Sequence, residues 1–248
     1  MNKYTEIYDL LINDIPINMT VDSFAQGVNW TYVESNNNYG VSMTVGNYSS
    51  PESDLVFKGK KLRDVAELTK SWNFYEASIG VAALNAYYNN KDRINEDYIE
   101  SENNQNSFMN ISLEKLKDKN VLCVGKFRDL DCIKEISNLN ILERNSSSEV
   151  LPDSACEYIF SKQDYIFITG SSLTNKTLPR LLELCPESAY VTLAGPSVVL
   201  NNNFYDLGVD CLSSLVITNP VKVEEIVKTG VWQKIHKAGK MVNLKNVK

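Results

Sequence analysis

The sequence has almost no histidine, since His236 is the single one in 248 residues. It also has no Cys-x-x-Cys pair, because its five cysteines lie far apart, at Cys123, Cys132, Cys156, Cys185 and Cys211. Tight zinc and copper sites generally need clustered Cys and His ligands. A soft-metal site built by the chain alone is therefore not expected, and neither is a Ser/His/Asp or Cys/His catalytic set. We expect His236 to lie in a solvated tail among lysines.

Long hydrophobic runs are also missing. No eighteen consecutive residues are apolar, and residues 1–17 mix charged with apolar side chains. Neither a membrane span nor a signal peptide is expected from this pattern. Widely spaced cysteines inside apolar segments are typical of a reducing compartment. We therefore expect a cytoplasmic protein with reduced thiols and no membrane partner.

Positive charge is in short supply, because 25 Lys and Arg stand against 31 Asp and Glu, a formal net charge of -6. No diffuse positive field is available to hold a phosphate backbone, so a nucleic-acid partner is not expected. The composition is otherwise that of a globular protein, with 43% hydrophobic and 23% charged residues. A homodimer is the base-rate expectation for such a protein.

The first hundred residues change their hydrophobic period twice. Helical spacing over residues 4–12 is followed by alternation over 28–33 and 41–45, with a turn-rich stretch at 36–40 between them. That pattern predicts a helix and then a β-hairpin. Helical spacing returns at Leu62 and again over 75–88, where small residues would let another backbone approach closely. We predict an α+β domain over residues 1–108, with a polar linker at its end.

The remaining residues alternate apolar runs with helical segments. The runs lie at 121–124, 139–142, 165–168, 190–193 and 211–217. Strands and helices that alternate at this spacing indicate parallel pairing through right-handed crossovers. We therefore predict an α/β protein whose residues 109–248 form a Rossmann-like domain with a parallel sheet.

Ligands of such sheets bind beyond the carboxyl ends of the strands, so the residues there are candidates for a site. Gly125 follows the first strand, although the chain has no GxGxxG motif. Glu143 ends the second strand eighteen residues later, where dinucleotide-binding and methyltransferase-like domains place an acid for ribose hydroxyls. An interpretation without a ligand stays open for both residues: Gly125 makes only a turn, and Glu143 is an ordinary charged residue after a buried strand.

Residues 169–177, called the hydroxyl segment below, follow the third strand and precede a helix with Pro179 in its first turn. The segment is rich in hydroxyl groups, and Thr177 is placed to cap that helix. It is either an anion-binding loop or a connector with local hydrogen bonds. A rigid Gly195-Pro196 turn follows the fourth strand.

Four stretches of the chain, at 27–31, 76–86, 169–178 and 193–197, resemble the heavy-metal chelation family. The similarity spans nearly the whole chain. The resemblance implies a domain like the N-terminal domain of enolases joined to a Rossmann-like domain, with a candidate active site where the two meet.

This resemblance and the strand ends together predict a site for a small molecule or a metal chelate between the domains. Its predicted lining is Trp30, Thr31, Glu76, Asn85, Gly125, Glu143, Thr169, Gly170, Ser171, Asn175, Thr177, Gly195 and Pro196. Glu76 and Glu143 are the candidate oxygen ligands for a metal ion. Two alternatives stay open: an enzyme that uses S-adenosylmethionine or a dinucleotide over Gly125 and Glu143, and a non-catalytic scaffold.

Overall fold

The structure, a computed structural model, describes residues 3–46, 57–93, 98–100, 111–125, 127–128, 130–144 and 149–246. It is a mixed α/β fold with a three-stranded antiparallel sheet and an eight-stranded, mostly parallel sheet. Within these ranges, no helix is both long enough and apolar enough to cross a membrane.

The N-terminal part contains the predicted first helix, the predicted hairpin and the two predicted helices that follow it. Its elements are α1 (Lys3–Asn13), β1 (Ser23–Gln26), β2 (Trp30–Ser35), β3 (Asn38–Met43), α2 (Leu62–Ala66), a 3-10 turn (Glu67–Lys70) and α3 (Phe74–Tyr88). The hairpin turn is made by Asn36 and Asn37, both with positive φ (51° and 60°). Asn tolerates this left-handed conformation, which is why two residues suffice to reverse the chain.

The backbone of helix α3 lies very close to that of β3 on one side and to that of the 3-10 turn Glu67–Lys70 on the other. A Cβ added at Gly40 would lie 1.9 Å from the backbone nitrogen of Ala86, and one added at Gly80 would lie 2.1 Å from that of Thr69. Glycine is required at both positions because any side chain would collide with backbone. The close approach predicted from the small residues of α3 is therefore confirmed.

The large sheet has the strand order β4-β11-β10-β9-β8-β5-β6-β7. Its parallel strands are β5 (Asn120–Val124), β6 (Asn138–Glu143), β7 (Leu151–Pro152), β8 (Tyr165–Thr169), β9 (Tyr190–Ala194) and β10 (Cys211–Ile217), while β11 (Gly239–Lys245) and β4 (Tyr98–Glu100) add an antiparallel edge. The five strands predicted from apolar runs are all present. The five cysteines are free thiols in the structure.

Short helices connect the strands of the large sheet. They are α4 (Leu113–Leu116), α5 (Asp131–Lys134), α6 (Cys156–Ile159), α7 (Ser171–Thr174), α8 (Leu178–Leu184) and α9 (Pro220–Thr229), with 3-10 turns at Asp153–Ala155, Phe160–Lys162, Asn202–Leu207 and Trp232–Ala238. The stretch predicted as a polar linker contributes β4, because β11 offers it an unpaired edge. The assignment of this stretch as a linker stays a prediction.

The two halves of the chain share one apolar core. Ile7 and Leu84 from the N-terminal half belong to the same buried cluster as Leu173 and Val198. The Tyr8 hydroxyl donates to the carbonyl of Leu173 over 3.0 Å. The predicted boundary between residues 108 and 109 lies outside the described residues, and the division into two domains stays a prediction, as does the likeness of the first half to enolases.

Candidate functional site

A cavity of about 780 Å³ lies where the hairpin meets the carboxyl ends of the parallel strands. Trp30 and the end of β3 form one wall. The ends of β5, β6, β8 and β9 form the other, and Ile235 and His236 line the cavity from the 3-10 turn after α9. The main-chain nitrogen of Met43 donates to Ser197 Oγ over 2.8 Å, which joins the hairpin end to the turn after β9.

Two glycines shape the strand ends. Gly125 has φ +104° and Gly195 has φ +111°, a conformation that L side chains rarely adopt. A Cβ at Gly125 would in addition come within 3.1 Å of the Thr169 side chain. Both glycines and Pro196 line the cavity, together with Glu143 at the end of β6. The backbone therefore turns sharply at the rim, as an open parallel sheet requires at its ligand crevice.

The hydroxyl segment contains a short helix and several hydrogen bonds between its own side chains. Thr169 Oγ1 and Ser171 Oγ lie 2.9 Å apart, and Ser171 opens the short helix α7. Asn175 Oδ1 accepts hydrogen bonds from the nitrogen of Thr177 over 3.1 Å and from its hydroxyl over 2.6 Å. The prediction that the Thr177 side chain caps α8 is wrong, because its hydroxyl is engaged by Asn175 instead. All four of these side chains nevertheless line the cavity.

Charge in the cavity wall is mostly positive. Four cationic side chains stand against two carboxylates, namely Arg128, Arg144, Lys176 and Arg180 against Glu143 and Asp153. Arg144 and Asp153 approach to 3.8 Å at an exposed position. Arg180 is also paired with two carboxylates outside the wall, with Glu157 over 2.6 Å and with Glu183 over 3.0 Å. Among the lining residues cations outnumber carboxylates although the whole chain is acidic, and the carboxylate partners of Arg180 and Arg144 offset part of that charge.

Lys176 is the most desolvated of these cations. Its ammonium donates to the carbonyls of Thr69 and Thr174, the latter over 2.9 Å. It lies 5.6 Å from the ring centroid of Tyr8 and 5.9 Å from that of Phe74. Burial lowers the pKa of Lys176 to about 8. The sequence-based reading missed this residue although both of its neighbours, Asn175 and Thr177, were candidates.

His236 corrects another expectation. It was expected in a solvated tail, but it is half-buried and lines the cavity. Burial lowers the pKa of His236, and the positive charge of Arg128 lowers it further. Cys156 also lines the cavity, and burial raises the pKa of its thiol. The lysines around His236 suggest a solvated tail, but the neighbouring Ile235 and Ala238 are buried against the large sheet and hold this segment there.

Four of the thirteen predicted residues are not in the cavity wall. Glu76 Oε2 instead accepts a hydrogen bond from Ser71 Oγ over 2.6 Å, and Asn85 Nδ2 donates to the carbonyl of Val41 over 2.7 Å. Thr31 Oγ1 lies 2.9 Å from Thr44 Oγ1, one layer behind the surface. A Cβ at Gly170 would lie 2.4 Å from the nitrogen of Val198. The contacts of these four residues are thus with neighbouring protein groups behind the cavity wall.

The predicted metal pair is not brought together, since Glu143 lines the cavity and Glu76 does not. In the part of the chain that the structure describes, no three His, Cys, Asp or Glu side chains are grouped as a metal site. The metal-liganding groups that the wall contains are the carboxylates of Glu143 and Asp153, the Cys156 thiol, the His236 imidazole and the Met43 thioether.

Two family models match the chain, one over residues 107–245 and one over residues 8–88, and both are described as "Putative heavy-metal chelation". A protein of unknown function from Desulfitobacterium hafniense DCB-2, of the family matched by residues 107–245, has a crystal structure that is similar at TM-score 0.87. It is 35% identical, and the match covers 98% of each chain.

A second crystal structure, of a protein of unknown function from Pyrococcus horikoshii, has the same fold at TM-score 0.83 and 19% identity. That match covers 98% of this chain and 100% of the other. The uncharacterized protein MJ0500 of Methanocaldococcus jannaschii is 26% identical over 188 residues, which is 71% of this chain and 69% of MJ0500.

Proposed function

The chain belongs to the family described as "Putative heavy-metal chelation", and from that premise we propose that its cavity binds an anionic organic molecule and takes up metal as a chelate with that molecule. The observation that carries the proposal is the charge of the wall, where four cationic side chains stand against two carboxylates. Such an excess attracts carboxylate or phosphate groups and opposes a bare metal cation.

The metal-liganding groups of the wall support a chelate over a naked ion. Among the described residues no three of them are grouped, whereas a tight site for a soft metal commonly uses three or four protein ligands. A chelate brings most of its own donors. The protein then needs to add one or two, and the wall contains the Glu143 carboxylate and the half-buried His236 imidazole.

The size and lining of the cavity suit an organic molecule. Its volume of about 780 Å³ falls within the roughly 300–1,000 Å³ typical of small-molecule sites. Apolar surface from Trp30, Phe127 and Leu181 alternates with the hydroxyls of Thr169 and Ser171. This mixture can hold a carbon skeleton while polar groups fix its orientation.

Native mass spectrometry of freshly purified protein, together with metal analysis, tests the proposal. We expect an organic mass that travels with the protein, with metal present only when that mass is present. The fraction of protein that carries the adduct should fall in Arg144→Met and Asn175→Ala, which alter the wall. It should persist in Glu76→Gln, a matched control whose carboxylate binds Ser71 outside the cavity. Stoichiometric metal without an organic mass would contradict the proposal.

A second candidate is a nucleotide-dependent enzyme, because Gly125 and Glu143 end adjacent parallel strands and both line the cavity. That is where a Rossmann-like domain holds the ribose of a cofactor. A rise in Tm with S-adenosylmethionine or NAD that disappears in Glu143→Gln would favour this candidate. An unchanged Tm with both cofactors would favour the chelate.

A further inference from the structure

We propose that the anionic ligand carries two acidic groups and competes with Asp153 and Glu157 for the arginines that these two carboxylates hold. This inference rests on the proposed function, because it narrows the class of the anionic ligand. It begins from residues 151–159, called the strap below, which consist of β7, the 3-10 turn Asp153–Ala155 and α6. Asp153, Ser154 and Cys156 of the strap line the cavity.

The strap is held to the rest of the molecule by little apolar packing. Residues 151–159 are all described by the structure, and none of them is buried. Strand β7 is two residues long and pairs with β6 alone, through Leu151 and Pro152. Burial begins only at Phe160, which follows the strap. A segment with so few buried contacts can move away from its neighbours at a low cost in free energy.

Two carboxylates of the strap pair with arginines of the cavity wall. Asp153 Oδ2 lies 3.8 Å from Arg144 Nε. Glu157 accepts two hydrogen bonds from Arg180, one from Nε over 2.9 Å and one from Nη2 over 2.6 Å. Both arginines line the cavity. The strap is therefore fastened by two of the cations that the proposed function assigns to the ligand.

A ligand acid can replace Glu157 on Arg180 because it offers the same geometry. A guanidinium group binds a carboxylate or a phosphate through two parallel hydrogen bonds. The side chains of Arg180 and Glu157 are 54% and 46% exposed, so their ion pair contributes little net free energy, and the displaced carboxylate regains water. The hydrogen bonds from Arg180 lower the pKa of Glu157, which keeps this carboxylate charged as a competitor at neutral pH.

The spacing of the two strap carboxylates indicates a ligand with two acids. Asp153 and Glu157 are four residues apart, in a 3-10 turn that continues directly into α6. Side chains four residues apart on a helix have Cβ atoms roughly 5–6 Å apart. A molecule with a single acid can replace one of the carboxylates, whereas a dicarboxylate of suitable length can replace both and gain from both arginines.

Titration calorimetry with acetate and with the linear dicarboxylates from succinate to adipate tests the inference. We expect the best dicarboxylate to bind the wild type at least tenfold more tightly than acetate. Removal of a competing carboxylate should strengthen binding, so Glu157→Gln should raise the affinity for that dicarboxylate about two- to fivefold, and Asp153→Asn should raise it less. Glu225→Gln, which removes an exposed carboxylate paired with Lys222 on α9, is the matched control and should bind like the wild type.

Limited proteolysis measures the release of the strap independently of affinity. Tyr158 is 79% exposed on the strap and is a target for chymotrypsin once the strap leaves the body. We expect cleavage after Tyr158 to become faster when the dicarboxylate is added to the wild type. In Glu157→Gln the cleavage should be fast without any ligand. Slower cleavage of the wild type in the presence of the dicarboxylate would overturn the inference.

The calorimetry also separates the two proposals. If a dicarboxylate binds the wild type but neither Glu157→Gln nor Asp153→Asn binds it more tightly, the strap carboxylates are not competitors, and the anionic-ligand proposal stands without this inference. If acetate binds as tightly as every dicarboxylate, the requirement for two acids is wrong. If none of these acids binds any of the proteins, the inference is wrong and the anionic-ligand proposal loses support too. Urea unfolding curves of the variants that match the wild type exclude misfolding as the cause of a changed affinity.

Discussion

The two walls of the cavity differ in what they contribute. The N-terminal wall consists of Trp30 and the hairpin end from Met43 to Gly46, and it contains no charged side chain among the lining residues. The C-terminal wall supplies every charged lining residue, including Arg144 and Lys176. The difference indicates a division of labour, in which the hairpin closes the cavity and the strand ends recognise the ligand.

The same contrast holds for the residues behind each wall. Behind the hairpin, α3 packs backbone to backbone at Gly40, and Asn85 is fully buried with its amide bonded to Val41. At the strand ends, Arg144 is exposed enough to meet solvent. Substitutions in the first region should therefore change the free energy of unfolding, and those in the second should change ligand affinity.

The largest effect is expected from Gly40→Val. Its Cβ would collide with the backbone of Ala86 in α3, so the free energy of unfolding should fall by about 3 kcal/mol. Urea unfolding measures the loss. The control is Gly59→Asn, which occupies a left-handed position with nothing within 4 Å and should cost well under about 1 kcal/mol. Equal losses in the two variants would show that the close approach of α3 is unimportant.

Next in size is Arg144→Met. Removing a charge-assisted contact to the ligand should weaken binding of the co-purifying molecule roughly tenfold. The free energy of unfolding should change by less than about 0.5 kcal/mol, because the ion pair with Asp153 is exposed. Titration calorimetry and urea unfolding measure the two quantities. A variant that lost stability and kept its affinity would reverse the proposed division between the walls.

A smaller effect is expected from the titration of Lys176. Its folded pKa of about 8 lies below the ordinary value of 10.5, so between these values the unfolded chain binds more protons than the folded one. Stability contributed by this group therefore rises with pH across that window. The unfolding free energy of the wild type, minus that of Lys176→Met, should increase from pH 8 to pH 10. A difference that stays flat or falls would contradict the lowered pKa.

The smallest effect is expected from Glu76→Gln. Its carboxylate accepts a hydrogen bond from Ser71 outside the cavity, and an amide oxygen can do the same. Ligand affinity should be unchanged within error. A loss of affinity comparable with that of Arg144→Met would return Glu76 to the site where the sequence pattern first placed it.

Periodicity in the sequence predicted most of the fold because buried strands and packed helices leave regular apolar patterns. Five of the parallel strands are apolar runs that the sequence predicts, and all five are found, whereas the parallel strand β7 was missed because it is only two residues long. Strand β11 was missed because Lys240 and Asn243 interrupt its apolar pattern, although Asn243 is buried beside Ser213. Strand β4 was missed because it is three residues long and depends on the edge of β11.

The site was predictable where it follows the strand ends and not where it depends on packing between distant elements. Gly125, Glu143 and Thr169 follow directly from the rule for parallel sheets, and all line the cavity. Glu76 and Asn85 are not among the residues that line the cavity, and the sequence could not show this because a polar residue on a packed helix gives the same pattern whether it faces a ligand or a neighbouring backbone. His236 and Lys176 also line the cavity, but the order of residues along the chain does not show that their segments pack at this place.

Equilibrium dialysis against nickel alone, citrate alone and the nickel–citrate complex tests the central claim most directly, because it asks whether the cavity prefers an anionic chelate to a bare ion. We predict retention of nickel only in the presence of citrate, with citrate retained on its own, and roughly tenfold weaker binding of both in Arg144→Met. Stoichiometric retention of nickel without citrate, unchanged in that variant, would contradict the claim.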